Sequence, residues 1–344
     1  MPFLLQLYFF SLFWVASYLI FAQDVHFSQF YANPLYLNPA LTGTTGQGRF
    51  LFNFRSQFPA LEGEFVSYNA SYDQYFARQQ SSLGILISTD KAGSAGLRST
   101  NISLQYAYTV PLSSFWAMRG GLQAGYGNRS VEYFKLVFGD QLAPTGLLSR
   151  SSQDTYTSGL NVYYLDLGAG IAFYKENFWL SIAAHHLNRP NQSLTGQTPE
   201  LLAPKYSLQT GYKIIGYTMG ARRKEGYSYA LHPMINYSQQ AHFQQLDLGL
   251  QTYFKPVTFG AFVRSLPLKP NLNTNLSLSS GFKYKGLNIL YSYDFPISSI
   301  ARSLGGAHEF TLCLQTEDHP PNRKKIKKRK RKKINIVNFP SLID

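Results

Sequence analysis

From Gly48 onward the chain alternates between apolar and polar residues at every second position, the spacing that puts one face of a β-strand in grease and the other in water. Val66, Tyr68, Ala70 and Tyr72 alternate with Ser67, Asn69, Ser71 and Asp73. Ile102, Leu104, Tyr106, Tyr108 and Val110 alternate with Ser103, Gln105, Ala107 and Thr109. The theme returns in Leu246, Leu248 and Leu250 against Gln245, Asp247 and Gln251. It returns again in Leu287, Ile289, Tyr291 and Tyr293 against Asn288, Ser292 and Asp294. About fourteen such runs begin near residues 48, 64, 82, 100, 115, 161, 177, 205, 226, 243, 257, 273, 286 and 306, an even number, as bacterial membrane barrels require.

The connections sort by length. Pro111-Ser114, Lys175-Asn177, Lys255-Pro256 and Lys285-Gly286 are short and fall on one side; 89–99, 128–160, 188–204, 265–272 and 296–305 are mostly longer and fall on the other. Short periplasmic turns with long outer loops are the sidedness of a transmembrane barrel, and a soluble sandwich has no reason to follow it. The pattern predicts an all-β fold: a closed antiparallel transmembrane β-barrel of about fourteen strands, with Phe50, Phe52, Phe54, Tyr106 and Ile289 facing lipid. Arg55, Asp73, Arg119, Asp166, Asp247 and Asp294 stand on the polar face, where lipid would be costly, and are expected in the lumen. There they would form either a salt-bridged interior or a selectivity or docking surface, and the interior is the simpler reading.

Composition agrees. Twenty-six Phe, 25 Tyr and 3 Trp make 16% of the 344 residues aromatic, and Tyr and Trp collect at membrane interfaces. The net charge of +14 is misleading, because ten of the eleven residues from Arg323 to Lys333 are Lys or Arg; removing those ten leaves +4 for the rest. A disordered extension explains that run more simply than nucleic acid, which an exported protein does not meet; contact with anionic headgroups or an acidic protein is the alternative. A single cysteine, Cys313, excludes an intrachain disulfide and a cysteine metal cluster. Residues 1–22 form an apolar segment ending at Ala22 that resembles a secretory signal, with a membrane anchor as the rival reading. The expected division is therefore signal peptide at 1–22, an N-terminal periplasmic or luminal segment at 23–47, barrel at 48–316 and basic tail at 317–344. Two Asn-Pro pairs, Asn33-Pro34 and Asn38-Pro39, predict an ordered segment outside the strands.

No catalytic constellation stands out. His185 and His186 are adjacent within an expected strand, so their side chains should point to opposite faces and not share a metal. A lipase would need a nucleophile beside one of them, and no G-x-S-x-G is present. Gly168-Ala169-Gly170 lacks phosphate-loop spacing. No catalytic residue, metal ligand, cofactor or small-molecule substrate is expected.

Beyond the pattern, residues 26–43 read His-Phe-Ser-Gln-Phe-Tyr-Ala-Asn-Pro-Leu-Tyr-Leu-Asn-Pro-Ala-Leu-Thr-Gly, which resembles the opening box of the PorP/SprF family of Bacteroidetes. Further boxes follow in the family's order: Asn53-Phe-Arg-Ser-Gln-Phe-Pro59, Ser71-Tyr-Asp-Gln74, Asp90-Lys-Ala-Gly93, Gly121-Leu-Gln-Ala-Gly-Tyr126, Phe138-Gly-Asp-Gln141, Leu165-Asp-Leu-Gly168 and His308-Glu-Phe-Thr-Leu312. The resemblance spans roughly residues 24 to 315 and implies an outer-membrane protein of type IX secretion and gliding motility, working with secretion components and secreted cargo or adhesins. Partner-binding positions implied by the boxes are Asn33, Pro34, Asn38, Pro39, Phe138, Gly139, Asp140 and Gln141. The chain departs from the family's pattern after its last strand, running on through His319-Pro-Pro to Asp344. A porin or small-solute channel is the competing function.

Overall fold

The computed structural model describes residues 24–132, 136–137, 141–143, 146–147, 161–194, 196, 198–216, 229–265, 274–297 and 302–316. The expected signal peptide, the basic tail and Phe138, Gly139 and Asp140 lie outside these residues.

Fourteen strands form the wall: β1 (Arg49–Gln57), β2 (Phe65–Phe76), β3 (Ser81–Ala92), β4 (Leu97–Pro111), β5 (Ala117–Ser130), β6 (Asn161–Lys175) and β7 (Phe178–His185). They continue as β8 (Lys205–Tyr212), β9 (Tyr229–Gln240), β10 (Phe243–Phe254), β11 (Val257–Ser265), β12 (Asn275–Tyr284), β13 (Leu287–Pro296) and β14 (Ala307–Gln315). Past Lys213, Ile214–Gly216 prolongs β8 along β9. Each strand is antiparallel to both neighbours, and β1 pairs with β14 from Arg49 opposite Gln315 to Gln57 opposite Ala307, which closes the ring. Every strand begins within three residues of the position that the alternation predicts.

The two sides of the wall explain that accuracy. Leu104, Leu122, Leu165, Ile182 and Leu250 are exposed on the outside, in a belt that only lipid can cover. Aromatic rings border the belt: Tyr108, Trp116, Tyr212 and Phe254 towards the end where β1 starts, and Phe65, Tyr126, Tyr163 and Tyr206 towards the other. Such girdles sit at the headgroups. Phe50 and Tyr106 are exposed, and Phe52, Phe54 and Ile289 are half-buried on the same outward face.

The sorting of connections has three exceptions, the first being the loop-end link between β3 and β4, which is only the four residues 93–96 because 89–92 and 97–99, expected in a longer outer loop, belong to the strands. At the terminal end, where β1 starts and β14 finishes, the link between Gly216 and Tyr229 is long; at the opposite, loop end Ala241 and His242 make a two-residue turn. The remaining links follow the short-turn and long-loop rule, with the short turns at the terminal end. Asn128 belongs to β5, so the long outer connection starts after Ser130.

The core of the molecule is inside the barrel. Phe30, Tyr31, Ala32, Ala40 and Leu41 from the N-terminal segment pack against Leu51, Tyr174, Trp179, Met234, Phe262 and Leu290 of the wall. The inner face is thus a mosaic, not a uniformly polar lining.

Candidate functional site in the barrel lumen

Residues 24–47 run down through the lumen, and nearly all of them from Phe27 to Gly43 are buried. Local sequence explains their compact path. Pro34 and Pro39 each occupy the first turn of a short helix, Pro34–Leu37 and Pro39–Leu41, where a missing N–H costs nothing. Asn38 caps the second turn, accepting from Ala40 N at 2.8 Å, and its Nδ2 donates to Ile182 O at 3.1 Å. Asn33, Pro34, Asn38 and Pro39 are all buried against the chain's own wall. Gln141 is buried as well.

Three polar clusters fix this plug. At the terminal end, Gly43 N donates to Asp73 Oδ2 at 2.6 Å, and Arg49 grips the same carboxylate through Nε and Nη2 at 2.9 and 2.6 Å. Arg119 Nε donates to Ala40 O at 2.9 Å and its Nη2 to Thr42 O. In the middle, Glu309 accepts from Ser28 N at 2.7 Å and Gln29 N at 3.1 Å. Arg55 bridges Glu309 at 3.2 Å and Asp294 at 2.9 Å, while Arg264 joins Asp247 at 2.8 Å and donates to Phe27 O at 2.9 Å. At the loop end, Asp24 meets His186 Nε2 at 2.9 Å and Lys205 Nζ at 3.3 Å. His186 Nδ1 meets Asp166 at 2.9 Å.

The six polar-face residues expected in the lumen all lie there, shared among these three clusters, each buried and bonded to the plug or to a charge that holds it. Burying so many ions is tolerable because each is paired and hydrogen-bonded. Burial alone would raise the Asp24 carboxyl, yet His186 and Lys205 bring it well below the usual carboxylate range. Burial pushes His26 well below the usual imidazole value, reinforced by Lys205 and Arg264, so it is neutral.

The histidine expectation needs correction. β7 ends at His185, and His186 has φ +56°, a left-handed conformation that interrupts the alternation. Both rings consequently turn inward and line one small cavity, 6.4 Å apart. Both His186 nitrogens face carboxylates, and His185 Nε2 lies 3.3 Å from Leu37 O, so their partners are structural. Among the described residues no group of three or more His, Cys, Asp or Glu is placed to hold a metal. Asp24, His186, Lys205, Arg49, Arg264 and Glu309 were not singled out from sequence as anchors. Glu309 stood within a family box, and Arg49 and Arg264 sit at inward positions of their strands, which was the available signal.

Closed wall, lipid-facing belt and internal plug define an outer-membrane β-barrel. Residues 20–314 match the model of the type IX secretion system membrane protein PorP/SprF. The chain belongs to that family and is an outer-membrane component of type IX secretion. No curated protein matches it. Among solved structures it is similar to the P. putida toluene transporter TodX, at 10% identity over 82% of this chain and 93% of that one, TM-score 0.44. A Pseudomonas aeruginosa FadL homologue also matches at 10% identity, over 84% and 96% of the chains, TM-score 0.43. BamA from Haemophilus ducreyi lacking POTRA domains 1-3 matches at 9% identity over 79% and 70%, TM-score 0.36.

Proposed function

We propose that the protein is a non-enzymatic member of the type IX apparatus that supports export or surface anchoring of large secreted adhesin-like proteins, and gliding through them. The observation that carries this reading is the plug. Its lower turn, Pro39–Gly43, is clamped across the terminal end of the lumen by Arg119, Asp73 and Gln105, where a diffusion channel needs an open water path. A rigid scaffold with long outer connections suits the holding of a protein partner. The Asn-Pro box serves that role indirectly, by keeping the scaffold filled and stiff.

Deleting the gene tests the proposal. Surface proteomics is expected to show loss of one or a few large proteins bearing type IX export domains, with permeability to small solutes nearly unchanged. Intact surface proteins combined with slower uptake of a solute would replace this reading with the porin.

A further inference from the structure

Towards the loop end β6 runs further than the strand beside it. On one side it pairs with β5 along nearly its whole length, from Asn161 opposite Ser130 to Tyr174 opposite Ala117; on the other, its pairing with β7 stops at Ala169 opposite Ala184. The left-handed turn at His186 then leads the chain inward, where Pro190 and Gln192 are buried and Gln192 lies 3.4 Å from Arg129 Nη1 on the inner face of β5. Among the described residues no strand therefore lies along Asn161–Gly168 on that side, whereas the other described strands of the wall are paired on both sides over all but a few residues.

Hydrogen bonding shows which groups this leaves. The odd-numbered residues of β6 turn their N–H and C=O towards β7, and Leu167 O accepts from Leu187 N at 2.9 Å. There the amide side chain of Asn188 takes the place of a strand, accepting from Leu167 N at 3.0 Å and donating to Leu165 O at 2.7 Å. Beyond that rung the same alternation carries the N–H of Leu165, and the N–H and C=O of Tyr163 and Asn161, to the side where no described residue bonds them. Tyr163 belongs to the loop-end girdle, so the groups that Asn188 serves are the deeper ones, for which lipid would offer no partner.

The run itself favours pairing. Asn161-Val-Tyr-Tyr-Leu165 is rich in strand formers and has none of the charges or prolines that blunt natural edges. It is also held in place: Tyr163 stacks on Tyr126 of β5 with centroids 5.8 Å apart, and the Asn161 side chain bonds Asn128. Donors and acceptors that recur at every second residue, roughly 7 Å apart, match an extended polypeptide and not a glycan or a lipid headgroup. We propose that this edge takes an extended segment of the secreted partner as an added strand, with apolar side chains beside the exposed Tyr163 and Leu165. This rests on the secretion reading above and deepens it, by assigning the partner's contact to the backbone of β6. A second copy of the barrel fits less well: standing in the same membrane, its β6 would run parallel, while every pair in this wall is antiparallel.

The test is made in cells expressing the full chain. A photo-crosslinking amino acid at position 163 is expected to capture the same surface protein that gene deletion depletes. Tyr163→Pro removes an N–H on the open side and leaves the pairing with β5 intact, and is expected to lower that protein at the surface about tenfold. Tyr163→Val removes the ring but keeps the N–H, and is expected to leave the surface protein near its normal level. Barrel abundance and heat-dependent gel migration report folding. Should Tyr163→Pro block folding, Asn161→Pro at the outer end of the strand carries the same expectation. Folded proline variants with normal surface protein overturn the proposal, and so do crosslinks that reach only a second copy, the chain's own outer connection or surface glycan. Deletion that depletes no surface protein overturns the function itself, so the two failures are distinguishable.

Discussion

Asp24 Oδ2 and His186 Nε2 lie 2.9 Å apart although 162 residues separate them, and this contact ties the start of the plug to the loop end of the wall. Burial works against a charged His186, but Asp24 and Asp166 outweigh it and push the imidazole up to about 10. A raised imidazole contributes stability that is complete below its unfolded value near ~6.5 and is lost as pH rises through about 10. The lowered Asp24 contributes above its unfolded value near ~3.9 and is lost on stronger acidification. Protection of the amides of residues 24–28, corrected for the intrinsic pH dependence of exchange, is therefore expected to be greatest between about pH 4 and pH 6.5, to fall progressively from there to about pH 10, and to level off above it. His186→Gln leaves the buried Asp166 short of its cation while Asp24 keeps Lys205, which should cost roughly 3 kcal/mol locally and abolish the alkaline decline.

Two glycines make room for the lower turn of the plug. A Cβ at Gly121 would lie 2.2 Å from Ala40 N, and one at Gly170 would lie 1.9 Å from Asn38 Oδ1. Gly121 meets plug backbone, which cannot yield as a flexible side chain can. Gly121→Val is thus expected to displace Pro39–Leu41 while the strand pairing persists, because valine suits a strand. Planar-bilayer recording should show a closed native protein and stepwise conductance in Gly121→Val and in the Gly121→Val, Gly170→Val pair. Large steady conductance in the native protein would contradict the plug's role as a seal.

Phe52 sits outward near the middle of β1, between Leu51 and Asn53, which are fully buried inward. Phe52→Arg at the bilayer midplane should cost about 2–4 kcal/mol, read from refolding into lipid vesicles. The same change at Phe65, at the loop-end girdle, should cost about 0–1 kcal/mol. Equal costs at both positions would place β1 at a different depth.

The barrel was legible because lipid outside and plug inside force a strict alternation, so each strand announces itself over its own ten or so residues. Nothing comparable marks the plug. Ser28 meets Glu309 across 281 positions and Tyr31 meets Ser279 across 248, pairings that leave no local periodicity. The Asn-Pro pairs signalled an ordered non-strand segment, but not which carbonyl Asn38 would find. His186 was misread for a related reason: alternation describes a residue only while the strand lasts, and β7 stops one residue earlier. Leu51, Met234 and Leu290 likewise gave no sign that the inner face would be partly apolar, since that depends on what the lumen holds.

The middle cluster offers the sharpest energetic test. Glu309 is almost wholly buried and accepts from two plug backbone amides, from Asn53 Nδ2 at 3.2 Å and from Arg55 at 3.2 Å. Arg55 in turn donates to Ser28 Oγ at 2.5 Å and pairs with Asp294, so the two side chains, opposite each other on neighbouring strands, hold one bend of the plug from the same side of the wall. Glu309→Gln keeps the shape but removes the charge and presents an amide to donors, and should cost roughly 3–5 kcal/mol. Arg55→Met strands two carboxylates and should cost a similar amount. Together the changes remove a charge of each sign, so the double variant should lose less than the sum of the singles, with a coupling of about 1–3 kcal/mol. Thermal unfolding in detergent, with exchange at Ser28 and Gln29 as the local probe, measures all three. Strict additivity would mean that the plug is held by its apolar contacts alone and that this ion pair is a spectator.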